Sequence, residues 1–422
     1  MWRTHALVLG LLAALAIVAY LPVFTQPLMQ DDYPLIEQAR LYGSASGWHN
    51  MLADRAFRYR STFFLLTGAL DRLFGPSPLP FYMAALALHI LCTWLVYALG
   101  AWRVVGGRVA VLAAGFFAVC ECHQEAIMWY SAVPELLQFL FGVAALLCWI
   151  WFVEKGGGWR WYAASLGLFV LALASKESAV IFAPLLLVLA WASGTGRRRL
   201  AAWLPFAALA GADVWLIFWA QPFSFRLADG SFSFHAPFWI TLPVSYMRLL
   251  WFWGLLSLLL LAILRARLQR QLVLTALVWM PVALLPYSFL TYMHRVPSRQ
   301  TYLASLGLAW LVAAGFCAFR ARLQLHRRSV TAVVVAIVLV ANIGYLWTKK
   351  RRQFLERAAP TEALLALVRK VDGPIYMRCY PGPPLVYEAA LRVKTGKPAS
   401  TLIWDPARAG AAAAEFCWTK PW

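Results

Sequence analysis

Residues 6–24 read ALVLGLLAALAIVAYLPVF, nineteen consecutive positions without a charge. At 1.5 Å per residue such a helix crosses the ~30 Å apolar core of a bilayer. A single Arg3 precedes the run, and Gln26–Pro27 and Gln30–Asp31–Asp32 follow it in place of a small-residue cleavage site. The pattern predicts a retained signal anchor rather than a cleaved signal peptide. Ten further spans are predicted at about 79–101, 107–121, 133–153, 159–175, 178–193, 200–219, 243–264, 271–292, 300–319 and 329–348, about eleven in all. The segment 58–74 is apolar but broken by Asp71 and Arg72, and reads as an interfacial or re-entrant helix. Over the 422 residues, 62% are hydrophobic and 13% charged. An average soluble domain carries about 25% charge. The composition excludes a soluble globular protein, a disordered chain and a small disulfide scaffold.

The net charge of +20 could suggest nucleic-acid binding, but in a multispanning chain it first reports orientation. With the N-terminus in the cytoplasm, the cytoplasmic loops hold Arg103, Arg108, Lys155, Arg160, Arg197–Arg198–Arg199, Arg265, Arg267, Arg270, Arg320, Arg322, Arg327 and Arg328, against the single acid Glu154. The opposite face receives Asp31, Asp32, Glu37, Asp54, Asp71, Glu121, Glu125, Glu135, Glu177 and Asp229. Lys349–Lys350–Arg351–Arg352 goes against this trend by falling outside after an odd number of spans. Residues 1–348 therefore read as a membrane domain. Residues 349–422 read as a small extracytoplasmic domain or tail, with 13 basic and 6 acidic residues. Within it 353–370 looks helical, with Leu355, Leu364, Leu365 and Val368 on one side. Cys379 and Cys417 could pair there. Cys120 and Cys122 lack a zinc site's usual spacing.

Charge held at a membrane boundary is costly, so four outer clusters stand out. Asp31 and Asp32 are adjacent carboxylates, suited to general-base work or to a divalent cation (Mg or Mn). Either could equally cap a helix. Glu121, His123, Glu125 and Glu135 follow within fifteen residues. Ser175–Lys176–Glu177–Ser178 is wedged between two apolar runs, where Lys176 suits a lipid phosphate and the Lys–Glu pair suits self-neutralisation. His294, Arg295 and Arg299 form a basic cluster on the acidic side, which argues for an anionic ligand. Carboxylates and cations together match transfer of a sugar from a lipid phosphate.

The order of these motifs resembles the polytopic glycosyltransferases of the GT-C fold, nearest the branch of protein O-mannosyltransferases and transmembrane proteins with tetratricopeptide tails. QDDYPLI carries the acidic pair with Tyr33. Tyr59–Arg60 precedes the re-entrant helix, and His89 lies in the next span. HQEAIMWYSAVPELL supplies His123, Glu125 and Glu135. SKESA supplies Lys176 and Glu177, and RQTYLASLG supplies Arg299 and Tyr302. The resemblance covers roughly residues 5–350. The tail shows no tetratricopeptide repeat.

The resemblance implies an all-α, GT-C-like membrane protein that moves a sugar from a polyprenyl-phosphate donor to an extracytoplasmic acceptor. Asp31 or Asp32 would be the base, with Glu125 orienting it or the acceptor. Lys176, His294, Arg295, Arg299 and Arg60 would receive the donor phosphate. His89 reads as a polar contact between helices, and Asp213 as an isolated intramembrane acid. The implied partners are the lipid-linked donor and membrane lipids, with no nucleic acid. The compact loops favour a bacterial inner membrane. The rival readings are a lipid or ion transporter and a non-catalytic scaffold. The concentration of charge at the boundary rather than at midplane disfavours transport.

Overall fold

The computed structural model describes residues 2–44, 47, 49, 60–194, 201–218, 231–264, 269–291, 294–322 and 327–420. Asp54, Tyr59, Arg197–Arg198–Arg199, Asp229, Arg265 and Arg267 lie outside the described residues.

Apolar runs and turn residues set the helices. α1 (Trp2–Ala19) ends at a 3-10 turn containing Pro22, and α2 (Asp32–Tyr42) begins at the acidic pair. The chain continues through α3 (Ser61–Phe74), α4 (Pro78–Ala98), α5 (Gly106–Val119), the short α6 (Gln124–Met128) and α7 (Val133–Glu154). Next come α8 (Trp159–Leu173), α9 (Phe182–Ser193), α10 (Leu204–Phe218), α11 (Phe238–Leu250) and α12 (Trp253–Ile263). The bundle ends with α13 (Arg270–Leu284), α14 (Ser305–Arg322) and α15 (Arg327–Tyr345). Pro78 and Pro134 stand at helix starts, where a missing N–H costs nothing.

Four helical stretches are long and apolar enough to cross a membrane: Pro78–Ala101, Tyr130–Glu154, Arg270–Phe289 and Ser329–Val368. Two bent pairs, Gly106–Val119 with Glu121–Met128 (51°) and Phe238–Leu250 with Trp253–Ile263 (72°), raise the number to six. Arg3–Ala19, Trp159–Leu173, Glu177–Ser193 and Ala201–Ile217 are apolar but shorter. By this measure the eleven predicted spans stand at four to six among the described residues. Leu7, Leu65, Trp215, Ile263 and Val340 are all more than half exposed. Such an apolar exterior is a liability in water and is matched by lipid.

Polar contacts separate the two ends of the bundle. At one end Arg103 pairs with Glu154 at 3.4 Å, Trp102 Nε1 donates to Ser193 Oγ at 2.8 Å, and Arg322 donates to the Leu264 carbonyl at 3.3 Å. At the other end Arg40 makes a two-pronged bond to Asp71 at 2.7 and 2.8 Å, tying α2 to α3. One face of α3 is buried through Phe63, Phe64 and Thr67 while Leu65, Leu73 and Phe74 stay exposed.

The expectation of an all-helical chain holds for the bundle but not beyond it. A π turn at Leu346–Lys350 joins α15 to α16 (Arg351–Val368). After α16 come β1 (Ile375–Cys379), α17 (Pro384–Thr395), β2 (Leu402–Ile403) and β3 (Ala414–Cys417). The strands form a parallel sheet in the order β2-β1-β3, with Ile375 opposite both Leu402 and Ala414. Parallel strands need a crossover, and α17 supplies the one between β1 and β2. Leu364, Val368, Ile375, Met377, Leu391 and Phe416 form the separate core of this unit. Leu355, expected on the apolar side of α16, is instead 39% exposed.

Cys379 and Cys417 form a disulfide between β1 and β3. The unit docks on α2 through Arg392, which bonds Glu37 at 2.5 and 2.9 Å, and Lys394 donates to the Pro76 carbonyl at 2.6 Å. It therefore lies at the same end of the bundle as the acidic pair. Closing a loop of 38 residues is worth about 4 kcal/mol in the chain-entropy account. Cys379→Ser is expected to make 372–420 protease-sensitive while the bundle resists cleavage, read by limited proteolysis with mass mapping.

Candidate active site

The segment after α1 turns sharply before the acidic pair. Gln30 adopts φ 46°, a left-handed conformation that costs a residue with a side chain. The turn sends the two carboxylates in different directions. Asp32 is fully buried: its Oδ2 accepts the Met29 N–H at 2.9 Å, and its Oδ1 accepts the Ser131 N–H at 2.8 Å and the Ser131 hydroxyl at 2.5 Å. Burial pushes its carboxyl up to about 7, against the lowering effect of those hydrogen bonds. Asp31 is exposed at the start of α2. Protein packed around it raises its carboxyl above the usual range, opposed by the nearby charges of Arg299 and Arg60.

The predicted motifs interlock in space. His123 Nε2 meets Ser305 Oγ at 2.6 Å, Gln124 donates to Ser298 Oγ at 3.1 Å, and Glu125 accepts the Arg299 backbone N–H at 3.2 Å. HQEA thus lies along RQTYLASLG. Within the second motif, Tyr302 bonds His89 Nδ1 at 2.7 Å, and His89 Nε2 lies 3.1 Å from the Ala118 carbonyl. Gly307 permits close packing of α14 on α13, because a Cβ there would meet the Ala276 carbonyl at 2.9 Å. His123 and Tyr302 are fully buried in this internal packing. Arg299 remains accessible at the edge of the motif.

SKESA behaves in the same way. Lys176 is buried and salt-bridged to Glu135, so its ammonium is spent inside the protein. Lys176, expected at a donor phosphate, is paired with Glu135 in this structure. Glu135 also accepts from Gln138 at 2.5 Å and from the Tyr287 hydroxyl at 2.7 Å. Ser178 donates to Gln138 at 2.8 Å. Next to this network Glu177 accepts from Arg60 at 3.2 and 3.4 Å, which holds Arg60 beside Asp31. His294 and Arg295 are exposed.

Three contributors escaped the sequence reading, all from α16 and the turn before it. Arg357 Nη1 lies 3.6 Å from Glu125 Oε1, opposite Arg299 Nη1 at 3.7 Å from Oε2. Glu362 accepts from the Tyr33 hydroxyl at 3.3 Å. The charge of Lys350 acts on Glu121 and Glu125. The basic run that seemed misplaced after the last span thus stands at the acidic end. Among the described residues one cluster of metal-type ligands occurs, Cys120, Cys122 and His123. Its two sulfurs are 2.6 Å apart, closer than two thiolates sharing one zinc at Zn–S bonds of about 2.3 Å.

The comparisons with known proteins follow the same lines. A family model described as dolichyl-phosphate-mannose-protein mannosyltransferase matches residues 62–220. No curated protein matches the sequence significantly. Among solved structures, the Archaeoglobus fulgidus oligosaccharyltransferase tethered to an acceptor peptide superposes with TM-score 0.54 at 14% identity, covering 96% of this chain. The chain spans 64% of that protein's length. The oligosaccharyltransferase AglB from the same organism, in complex with an inhibitory peptide and a dolichol-phosphate, gives 0.53 at 12% identity, covering 96% of this chain and 65% of its own. ArnT from Cupriavidus metallidurans, bound to undecaprenyl phosphate, gives 0.53 at 14% identity, covering 91% of this chain and 84% of its own. The chain has the GT-C fold.

Two outcomes are expected from the buried groups. The raised carboxyl of Asp32 binds a proton more tightly in the folded than in the unfolded state, so folding stability falls as pH rises from about 4 to 7. Asp32→Asn removes that slope and costs about 1–3 kcal/mol at low pH by turning an amide onto the Met29 or Ser131 donor, read by thermal unfolding across pH. Lys176→Ala leaves Glu135 buried without its cation and lowers stability by about 3–5 kcal/mol. The double change Lys176→Met with Glu135→Leu costs much less, which a double-mutant comparison of melting temperatures checks.

Proposed function

We propose that this GT-C chain is a membrane glycosyltransferase using a polyprenyl-phosphate-linked hexose or pentose, with Asp31 as its general base. The acceptor is an extracytoplasmic hydroxyl of a lipid, glycan or protein. In this reading the bundle crosses a membrane, the bacterial inner membrane being the favoured case, about eleven times. The acidic end with its C-terminal unit faces outward, and the Arg103–Glu154 end faces the cytoplasm.

The observation that carries the reading is the unequal fate of the acidic pair. Asp32 has its lone pairs taken by Met29 and Ser131, whereas Asp31 is exposed and flanked by Arg60 and Arg299. A base needs a free lone pair toward the acceptor and a proton affinity above that of an ordinary carboxylate. Asp31 has both. It would take the acceptor's proton as the acceptor oxygen attacks the anomeric carbon and the bond from that carbon to the phosphate oxygen breaks. The phosphate departs with the bonding electrons, and the guanidinium charges of Arg299 and Arg60 offset the negative charge it gains. His294 and Arg295 would supply further positive potential. Glu125 fixes Arg299 through its backbone and orients the site. A lipid phosphate as donor is supported by the lipid phosphates bound in the AglB and ArnT structures.

Purified protein in nanodiscs, offered a panel of polyprenyl-phosphate sugars, is expected to transfer one of them. Asp31→Asn is expected to lower turnover by ~10²–10⁴-fold with its melting temperature unchanged. Turnover of the unaltered protein is expected to rise with pH through the raised titration of Asp31. Wild-type turnover in Asp31→Asn would refute the assignment of the base.

A further inference from the structure

Cys120 and Cys122 flank Glu121 at the junction of α5 and α6, where the two helices bend by 51°. Both are free cysteines, yet their sulfurs are 2.6 Å apart. That separation is well inside the ~3.5–4.0 Å of ordinary non-bonded contact. A small side-chain rotation brings such a pair to the bonding distance of about 2.05 Å. Cys122 keeps part of its surface open, whereas Cys120 is 2% exposed. Cys92, Cys148 and Cys317 lie inside α4, α7 and α14, so this pair differs from them in standing at a helix boundary.

The junction belongs to the acidic end of the bundle. The Glu121 N–H donates to Asn342 Oδ1 on α15 at 3.1 Å, and Glu125, three residues past Cys122, accepts the Arg299 N–H at 3.2 Å. The C-terminal unit, with its Cys379–Cys417 disulfide, docks at the same end through Arg392 and Glu37. A disulfide there marks a face of the protein on which thiols are oxidised.

We propose that Cys120 and Cys122 form a second, reversible disulfide, made by exchange with a disulfide-bearing oxidant on the side of the C-terminal unit. The thiolate of Cys122, the more open of the two, attacks one sulfur of the oxidant, whose other sulfur leaves as a thiolate. Cys120 then attacks Cys122 Sγ, the Cys120–Cys122 bond forms, and the oxidant's second thiolate leaves. Two electrons pass to the oxidant, and the two thiol protons end on its sulfurs. The bond closes a small ring across the α5–α6 junction. His123 and Glu125 follow at once, bonded to Ser305 and to the Arg299 backbone. Oxidation therefore stiffens the turn that holds HQEA against RQTYLASLG. Partly exposed disulfides are the labile ones, which makes the state reversible.

The test traps the thiols before purification can oxidise them. Cells producing the full-length protein are acid-quenched, denatured in chelator with one alkylating label, then reduced and given a second label of different mass. Peptide mapping is expected to find the second label on Cys120, Cys122, Cys379 and Cys417, and the first on Cys92, Cys148 and Cys317. In Cys122→Ser, Cys120 is expected to move to the first label while Cys379 and Cys417 keep the second. First label on both Cys120 and Cys122 of the wild type, beside protected Cys379 and Cys417, overturns the proposal, whether the thiols were idle or held a metal. Second label on Cys120 in Cys122→Ser also overturns it, since Cys120 would then have another partner. With the purified protein, amide exchange over 121–126 is expected to quicken several-fold when reductant is added to the wild type, and to stay unchanged in Cys122→Ser. Equal quickening in the variant overturns the stiffening role and assigns the effect to Cys379–Cys417.

Discussion

A buried carboxylate that accepts three hydrogen bonds organises this site. Asp32 ties the turn after α1 to the segment before α7, using Met29 on one side and Ser131 on the other. Three donors converging on one group tolerate little displacement, and the strained Gln30 is held by that constraint. Because neighbouring residues at a helix start cannot point the same way, fixing Asp32 inward leaves Asp31 outward. The exposed carboxylate is thus a consequence of the buried one. The same turn sets the direction of α2, on which the C-terminal unit docks through Glu37.

Around that turn, the charged motifs divide into structural and accessible members. Lys176 pairs internally with Glu135, and His123 bonds Ser305 through Nε2 while its buried Nδ1 has no partner among the described residues. Buried pairs of this kind add little net stability but penalise any arrangement that separates them. They hold the loops at the acidic end in one register, and that register positions Arg60 and Arg299 beside Asp31. The order of this end comes from such polar locks between loops, since the apolar helix faces are matched by lipid and set little specificity.

Much of this was legible in the sequence, for physical reasons. Uncharged runs such as 6–24 must be helical in a membrane, and charge is so scarce that Asp31, Glu125 and Arg299 stand out. The sequence does not reveal pairing. Lys176 looks like a phosphate ligand because it is a cation at a boundary, and only the fold brings Glu135 to it. Arg357 was invisible for the opposite reason, as one of 13 basic residues in a tail with ordinary composition. The sheet in that tail was missed because its strands are five, two and four residues long, too short for alternation to register. By length and composition four to six of the eleven expected spans are met among the described residues, because apolar helices such as Trp159–Leu173 and Glu177–Ser193 are shorter than a full crossing.

The central claim is that an exposed aspartate and two flanking arginines at one end of the bundle form a lipid-phosphate sugar site. The most direct test is a cryo-EM structure of the protein in nanodiscs with a polyprenyl phosphate. The account requires phosphate density beside Asp31, in contact with the Arg299 guanidinium, with the prenyl chain leaving along the bundle surface. Phosphate density at the middle of the bundle near Asp213, as in a transport path, would contradict it.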